Sequence, residues 1–193
     1  GQRVRVPYEA SQGRRVNVIG AYFTHGPDAG RRDYRSWAVL PKSRAKNPRT
    51  TPAERAAAHG LTLDEVGPID AERLVAFLWQ IAGRPAEAAP GWRRERPLVI
   101  ALDNYAVHTS QTVAAAQPLL SDANIALVYL ARYCPEQSAI EPIWNDVKAH
   151  QIPQRSFEQV APLKHAVDDA LARKAQQLQQ AHDKPTTLQR LAA

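Results

Sequence analysis

The alternation of apolar and polar positions changes period several times along the chain. Residues 14–23 (RRVNVIGAYF) are apolar and β-branched in the middle, which predicts a strand. Gly, Pro and Asp crowd residues 25–30, the chemistry of a tight turn. Residues 34–40 (YRSWAVL) predict a second strand, so the pair is expected as an antiparallel hairpin. Residues 41–69 are rich in Pro, Arg, Ala and Thr and are expected to form a long loop with one short helix near 52–59. From 70 to 82, Leu74, Phe77, Leu78 and Ile81 recur at helical spacing behind Asp70, a natural N-cap. A Pro/Gly/Arg linker follows over 83–96.

The period then collapses into short continuous apolar runs. Residues 97–102 (PLVIAL) and 124–130 (NIALVYL) have the pattern of strands buried on both faces. Between them, Thr109 or Ser110 is placed to cap a helix running to about residue 120. Strand, helix and strand at this spacing predict a βαβ unit with parallel strands. Helices are expected over 139–150 and 157–182. The fold class is therefore α/β with a mixed sheet and flanking helices, organised as one domain over 1–152 and a C-terminal helical extension over 153–193.

Composition narrows the functional classes. No apolar run approaches the ~18–20 residues that cross a bilayer, so no membrane partner is expected. The single cysteine, Cys134, excludes an internal disulfide and fits a reducing cytoplasm. No Cys/His cluster has zinc-ligand spacing. Methionine is absent, position 1 included, as expected of a trimmed chain or a piece of a longer reading frame. The net charge of +6 is unevenly spread. Residues 1–60 hold 12 Lys/Arg against 4 Asp/Glu, whereas residues 61–193 hold 13 against 15. A basic excess around Arg14, Arg15, Arg31, Arg32, Arg35, Lys42, Arg44, Lys46 and Arg49 suits a polyanion such as DNA; a solvated basic surface is the plainer alternative.

Two carboxylates carry the candidate chemistry. Asp103 ends the first buried run, and the carboxyl ends of strands in open α/β sheets are where ligands bind. It is either a metal ligand or a turn cap. Glu141 opens the helix after the second run, and Ser138-Ala-Ile-Glu141 also fits a capping box, so Glu141 is either a ligand or a cap. Taken together, both acids fall near the same end of adjacent parallel strands. A hard cation such as Mg²⁺ takes a few carboxylate oxygens, several waters and the oxygens of a phosphate substrate. A pair of such ions can activate water and stabilise a leaving oxygen.

Residues 98–110 (LVIALDNYAVHTS) followed by 128–148 (VYLARYCPEQSAIEPIWNDVK) resemble the second and third catalytic blocks of the DDE transposases, in the branch of bacterial insertion-sequence relatives of the mariner transposons. The matching positions are Asp103, Asn104, His108, Leu130, Tyr133, Pro135, Glu136, Ile140, Glu141, Trp144 and Lys148, and 37 residues separate the two acids. Residues 16–21 (VNVIGA) resemble the family's second strand. The resemblance implies a ribonuclease H-like fold and metal-dependent cleavage and transfer of DNA strands at transposon ends. It implies Asp103 and Glu141 as catalytic acids and ligands of a two-metal Mg²⁺ or Mn²⁺ site, with Asn104 and His108 as a secondary site. It further implies double-stranded DNA as partner and a bacterial cytoplasmic, nucleoid-associated location; the basic excess supplies Arg14, Arg15, Arg31, Arg32, Lys42, Arg44 and Lys46 as candidate DNA contacts, and Lys148 either meets a phosphate or is a solvated lysine.

Departures from the family pattern qualify what carries over. Cys134 stands for the usual Ser, Ala131 for Pro, and Ser138-Ala139 for Asn-Pro. The family's first Asp ends a strand preceding the one that 16–21 resembles, and only 15 residues precede Val16. Asp28 and Asp33 fall at the hairpin turn, the wrong place for it. An N-terminally truncated domain is thus expected, with an exposed sheet edge, a marginal fold, and a homodimer or partner that supplies the missing segment. The alternative is a catalytically inactive remnant that binds only DNA or a full-length transposase. Tyr133 and Trp144 either approach DNA or pack in the core, and His108 either meets a phosphate or packs at the helix entry.

Overall fold

Alternating apolar side chains on both faces of a β-hairpin set the layering of the molecule. The computed structural model describes residues 14–41, 50–131, 137–152 and 157–182. Strand β1 (Arg15–Tyr22) pairs antiparallel with β2 (Arg32–Val39), from Arg15 opposite Val39 to Tyr22 opposite Arg32. Period-two alternation sends Val16, Val18 and Tyr22 into one apolar cluster, and Ile19 and Ala21 into another. The hairpin is therefore covered on both sides.

On the Ile19 side lies the main core. Helix α2 (Ala71–Ile81), capped by Asp70 accepting from the Arg73 N–H at 2.8 Å, buries Leu74, Phe77, Leu78 and Ile81. Strand β3 (Leu98–Leu102), helix α3 (Gln111–Asp122) and strand β4 (Ile125–Tyr129) complete it, with Leu102, Val113, Leu120 and Ile125 buried. The cap of α3 is Ser110, the second of the two residues expected for it. β3 and β4 run parallel, Leu98 opposite Ile125 through Leu102 opposite Tyr129, as the βαβ spacing predicts.

Asn124 sets that register. It ends α3 in the left-handed conformation (φ 64°), which asparagine tolerates better than most residues. Its amide donates to the Arg94 carbonyl at 2.8 Å and its side-chain oxygen accepts from Arg93 at 3.1 Å. Its own carbonyl accepts from the Leu98 N–H at 2.9 Å. The start of β4 is thereby tied to the start of β3.

On the Val16 side lie helix α4 (Glu141–Asp146), a π-helical turn over Val147–Gln151, and helix α5 (Val160–His182). Ile143, Val147, Val167, Ala170 and Leu171 are buried there. Lys164 of α5 is the one buried charge among the described residues, 2.7 Å from Asp168 and 3.6 Å from Glu65. Asp168 also accepts from the Ser36 hydroxyl of β2. Between β2 and α2, the expected loop carries helix α1 (Pro52–Ala57), closed by a Thr51–Glu54 capping box, and a short 3₁₀ turn over Leu63–Glu65 that periodicity does not predict.

Four expectations are corrected. The expected mixed sheet divides, among the described residues, into two two-stranded sheets, β1–β2 and β3–β4. The runs expected to be buried on both faces are buried on one: Val99 is 64% and Val128 49% exposed, because α2 and α3 cover only the opposite face while α4 and α5 pack over the hairpin. The helix expected from 139 begins at Glu141 and loosens into the π-helical turn after Asp146. The capping box of Ser138 and Glu141 does not form; Ile140 is the N-cap, without a side-chain hydrogen bond.

Candidate active site

The C-terminal end of β3 leads into one of the two acids found in the sequence, and the other opens α4. β3 stops at Leu102 and Asp103 is the next residue, its side chain 58% exposed. The chain turns at once: Oδ1 of Asp103 accepts from the Tyr105 N–H at 3.0 Å, and the His108 N–H donates to the Tyr105 carbonyl at 2.8 Å. That turn carries His108 back onto the acid. Nδ1 of His108 lies 2.7 Å from Oδ1 of Asp103 and 3.1 Å from its carbonyl oxygen. An Nδ1–H donating to the carboxylate fixes the ring. The imidazole is mostly enclosed, 17% exposed, and its carbonyl accepts from the Tyr129 hydroxyl of β4 at 3.0 Å.

Asn104 ties the two strand ends together, its amide donating to the Leu130 carbonyl at 2.6 Å. Backbone pairing extends the same link, the Leu130 N–H donating to the Leu102 carbonyl at 2.8 Å. From there the Ala131 N–H donates to the side chain of Gln137 at 3.3 Å, four residues before Glu141. Glu141 is half-buried and occupies the first position of α4. Its helix is seated by Trp144, whose ring lies over Gly20 of β1; a Cβ at Gly20 would stand 2.6 Å from Trp144 Cζ2. Of the two uses expected for Trp144, the structure gives packing. Tyr133, Cys134, Pro135 and Glu136 lie outside the described residues.

Among the described residues, the hydrogen bonds leave the acids with unpaired oxygens. Oδ1 of Asp103 is engaged by His108 and Tyr105, whereas Oδ2 has no partner among the described residues, and neither does the Glu141 carboxylate. Such a pair suits a hydrated hard cation, which keeps waters and needs only one or two protein carboxylates. Among the described residues, no group of three or more His, Cys, Asp or Glu is placed to hold a metal.

A protein-family model described as DDE superfamily endonuclease matches residues 55–164, more than half of the chain. The chain belongs to this family. The matched span contains both acids, His108, Asn104 and the whole parallel unit, and the hairpin precedes it. The DDE endonucleases are generally divalent-metal dependent, which agrees with the chemistry available at Asp103 and Glu141. None of the curated proteins matches the chain.

The basic residues of this DDE domain divide into tethered and free groups. Arg31 pairs with Asp28 and Asp33 and lies over Phe23, its guanidinium carbon 4.7 Å from the ring centre. Arg32 stacks on Tyr22 at 4.5 Å, donates to the Gly30 carbonyl at 3.1 Å, and has its pKa lowered by burial. Asp28 also meets Arg94 at 3.8 Å. Asp28 of the turn and Asp33 of β2 are therefore ion-paired, away from the role of first acid. Arg15 and Lys148 are exposed and Arg14 half-exposed, while Lys42, Arg44 and Lys46 lie outside the described residues. Sequence reasoning missed the Asp103–His108 contact itself and the part of Tyr129 in it; a histidine five residues after a strand-end acid was the available signal.

Proposed function

We propose that this chain is the catalytic part of a DDE transposase, cleaving and transferring DNA strands at transposon ends with Mg²⁺ or Mn²⁺ held by Asp103 and Glu141. The observation that carries the reading is the half-engaged carboxylate at the end of β3: His108 and the Tyr105 N–H hold one oxygen of Asp103, and the other has no partner among the described residues. The bound ions would supply a nucleophilic water at neutral pH and neutralise charge on the phosphodiester. Asp103 keeps its orientation through His108, and Asn104 holds the ends of β3 and β4 together. Glu141 is positioned by the seating of Trp144 over Gly20. The further acid that this chemistry requires comes from outside the described residues. Arg14, Arg15 and Lys148, with Lys42, Arg44 and Lys46, are the cations proposed to meet DNA phosphates; Arg31 and Arg32 have partners of their own and contribute less.

A second reading, a remnant that binds DNA or a full-length transposase without cutting, is favoured by one observation: among the described residues no group of three or more His, Cys, Asp or Glu is placed to hold a metal. The ability to bind metal separates these readings from a purely structural role for the acids. Titration of the chain with Mn²⁺, followed by the loss of the free-ion resonance, is expected to show binding that Asp103→Asn and Glu141→Gln each weaken roughly tenfold or more. Equal binding by both variants and the parent chain would refute the shared site.

A further inference from the structure

The turn after Asp103 carries a large aromatic side chain that packs into no core. Tyr105 is 58% exposed, at a position where turn chemistry ordinarily places Gly, Asp, Asn or Ser. Its backbone is nevertheless fixed at both ends, by the Asp103 carboxylate on its N–H and the His108 N–H on its carbonyl. Its ring meets the His108 imidazole edge-on, with centroids 5.9 Å apart and planes at 79°. Tyr129, itself 38% exposed, donates its hydroxyl to the His108 carbonyl. The acid proposed to bind metal is thus flanked by an aromatic rim that is both ordered and open to solvent.

Ordering an exposed aromatic gains the fold little, because its surface stays in water. What it offers is a π-face. Base–aromatic stacking is tolerant of sequence, since every base has such a face, and it is available only to bases not already stacked in a duplex. Tyr105 stands two positions after Asp103, so their Cα atoms lie within about 7 Å of each other. That distance corresponds to about two nucleotides of rise along a strand. A strand held with a phosphate at Asp103 therefore brings a neighbouring base to this ring.

We infer that Tyr105 is a stacking platform for an unpaired nucleobase next to the phosphate held at Asp103, so that the strand being cut is bound locally melted. The inference rests on the metal-site reading of Asp103 and adds to it the form of the substrate. It makes the site prefer single-stranded or mismatched DNA over a perfect duplex, without base specificity.

The test is fluorescence anisotropy of the full chain, in Ca²⁺ to hold DNA without cleavage, with a short labelled single strand and with the same sequence as a matched duplex. A 2-aminopurine base in the single strand reports stacking directly through quenching. The parent chain is expected to prefer the single strand and to quench the probe. Tyr105→Ala should lose about five- to a hundredfold of single-strand affinity and most of the quenching, and change duplex binding little. Tyr105→Trp should retain both, and unchanged circular dichroism of the variants excludes loss of fold. Single-strand binding and quenching that survive Tyr105→Ala overturn the inference and leave the metal-site reading intact. A parent chain that prefers the duplex also overturns it. No binding to either DNA overturns both readings together.

Discussion

The two oxygens of Asp103 are unequally engaged. One accepts from His108 and the Tyr105 N–H, and the other has no partner among the described residues. A second residue-scale device lies on the opposite side of the hairpin, where Gly20 lets the Trp144 ring reach the backbone of β1. A methyl group there would overlap the indole, and overpacking of this kind costs about 1–3 kcal/mol. Gly20→Ala should therefore lower the thermal midpoint, and combining it with Trp144→Phe should recover part of the loss. Additive effects of the two substitutions, measured in a double-mutant cycle, would show that the contact is not what Gly20 provides. The acid at 103 was legible in the sequence because a buried apolar run ended on it. The histidine that orients it was legible only as a candidate, because no periodicity encodes the turn that folds residue 108 back onto 103. The capping box drawn from Ser138 and Glu141 did not form: the chain enters α4 through Ile140, and Glu141 keeps a carboxylate free among the described residues.

At the scale of elements, helix α5 is held to the rest by ion pairs as well as by its apolar face. Lys174 meets Asp146 of α4 at 2.6 Å, and Lys164 meets Glu65 at 3.6 Å. The hydrogen bond from Lys174 holds the Asp146 pKa below its usual value. For Glu65 the leading cause of the same lowering is the Thr62 N–H, with Lys164 adding to it. Groups whose pKa is depressed on folding stabilise the native state above the ordinary carboxylate range, near pH 4, and lose that contribution as pH falls through their folded values. Asp146→Asn and Glu65→Gln should therefore lower the melting temperature at pH 7 and converge on the parent chain once the pH falls below the depressed folded-state values. A gap between variant and parent that persists at low pH would mean that the pairs act through packing. The elements themselves were legible wherever period or capping was strong. The hairpin, α2, α3 and the parallel β3–β4 pair fall within a few residues of expectation. Burial of β3 and β4 on both faces was misread because a continuous apolar run does not say how many layers cover it. Val99 and Val128 stand exposed where no helix of the described residues lies over them.

For the molecule as a whole, two layers of helix enclose the hairpin while one layer covers the parallel pair, and the proposed chemistry sits at the open end of that pair. The basic excess of residues 1–60 was legible as a count, but its use was not. Arg31 and Arg32 turn inward to aspartates, a tyrosine and a carbonyl, contacts that charge counting cannot foresee. Family membership was legible because the two acidic blocks carry many matched positions at fixed spacing, and the family match from 55 to 164 encloses both blocks. The central claim is that Asp103 and Glu141 act together on DNA phosphodiesters. Its most direct test is Mn²⁺-dependent nicking of supercoiled DNA by this chain beside Asp103→Asn and Glu141→Gln. The account predicts nicked circles with the parent chain and none with either variant, at unchanged salt-sensitive DNA binding. Nicking that survives both substitutions, or a parent chain that binds DNA and Mn²⁺ without ever nicking, would contradict it.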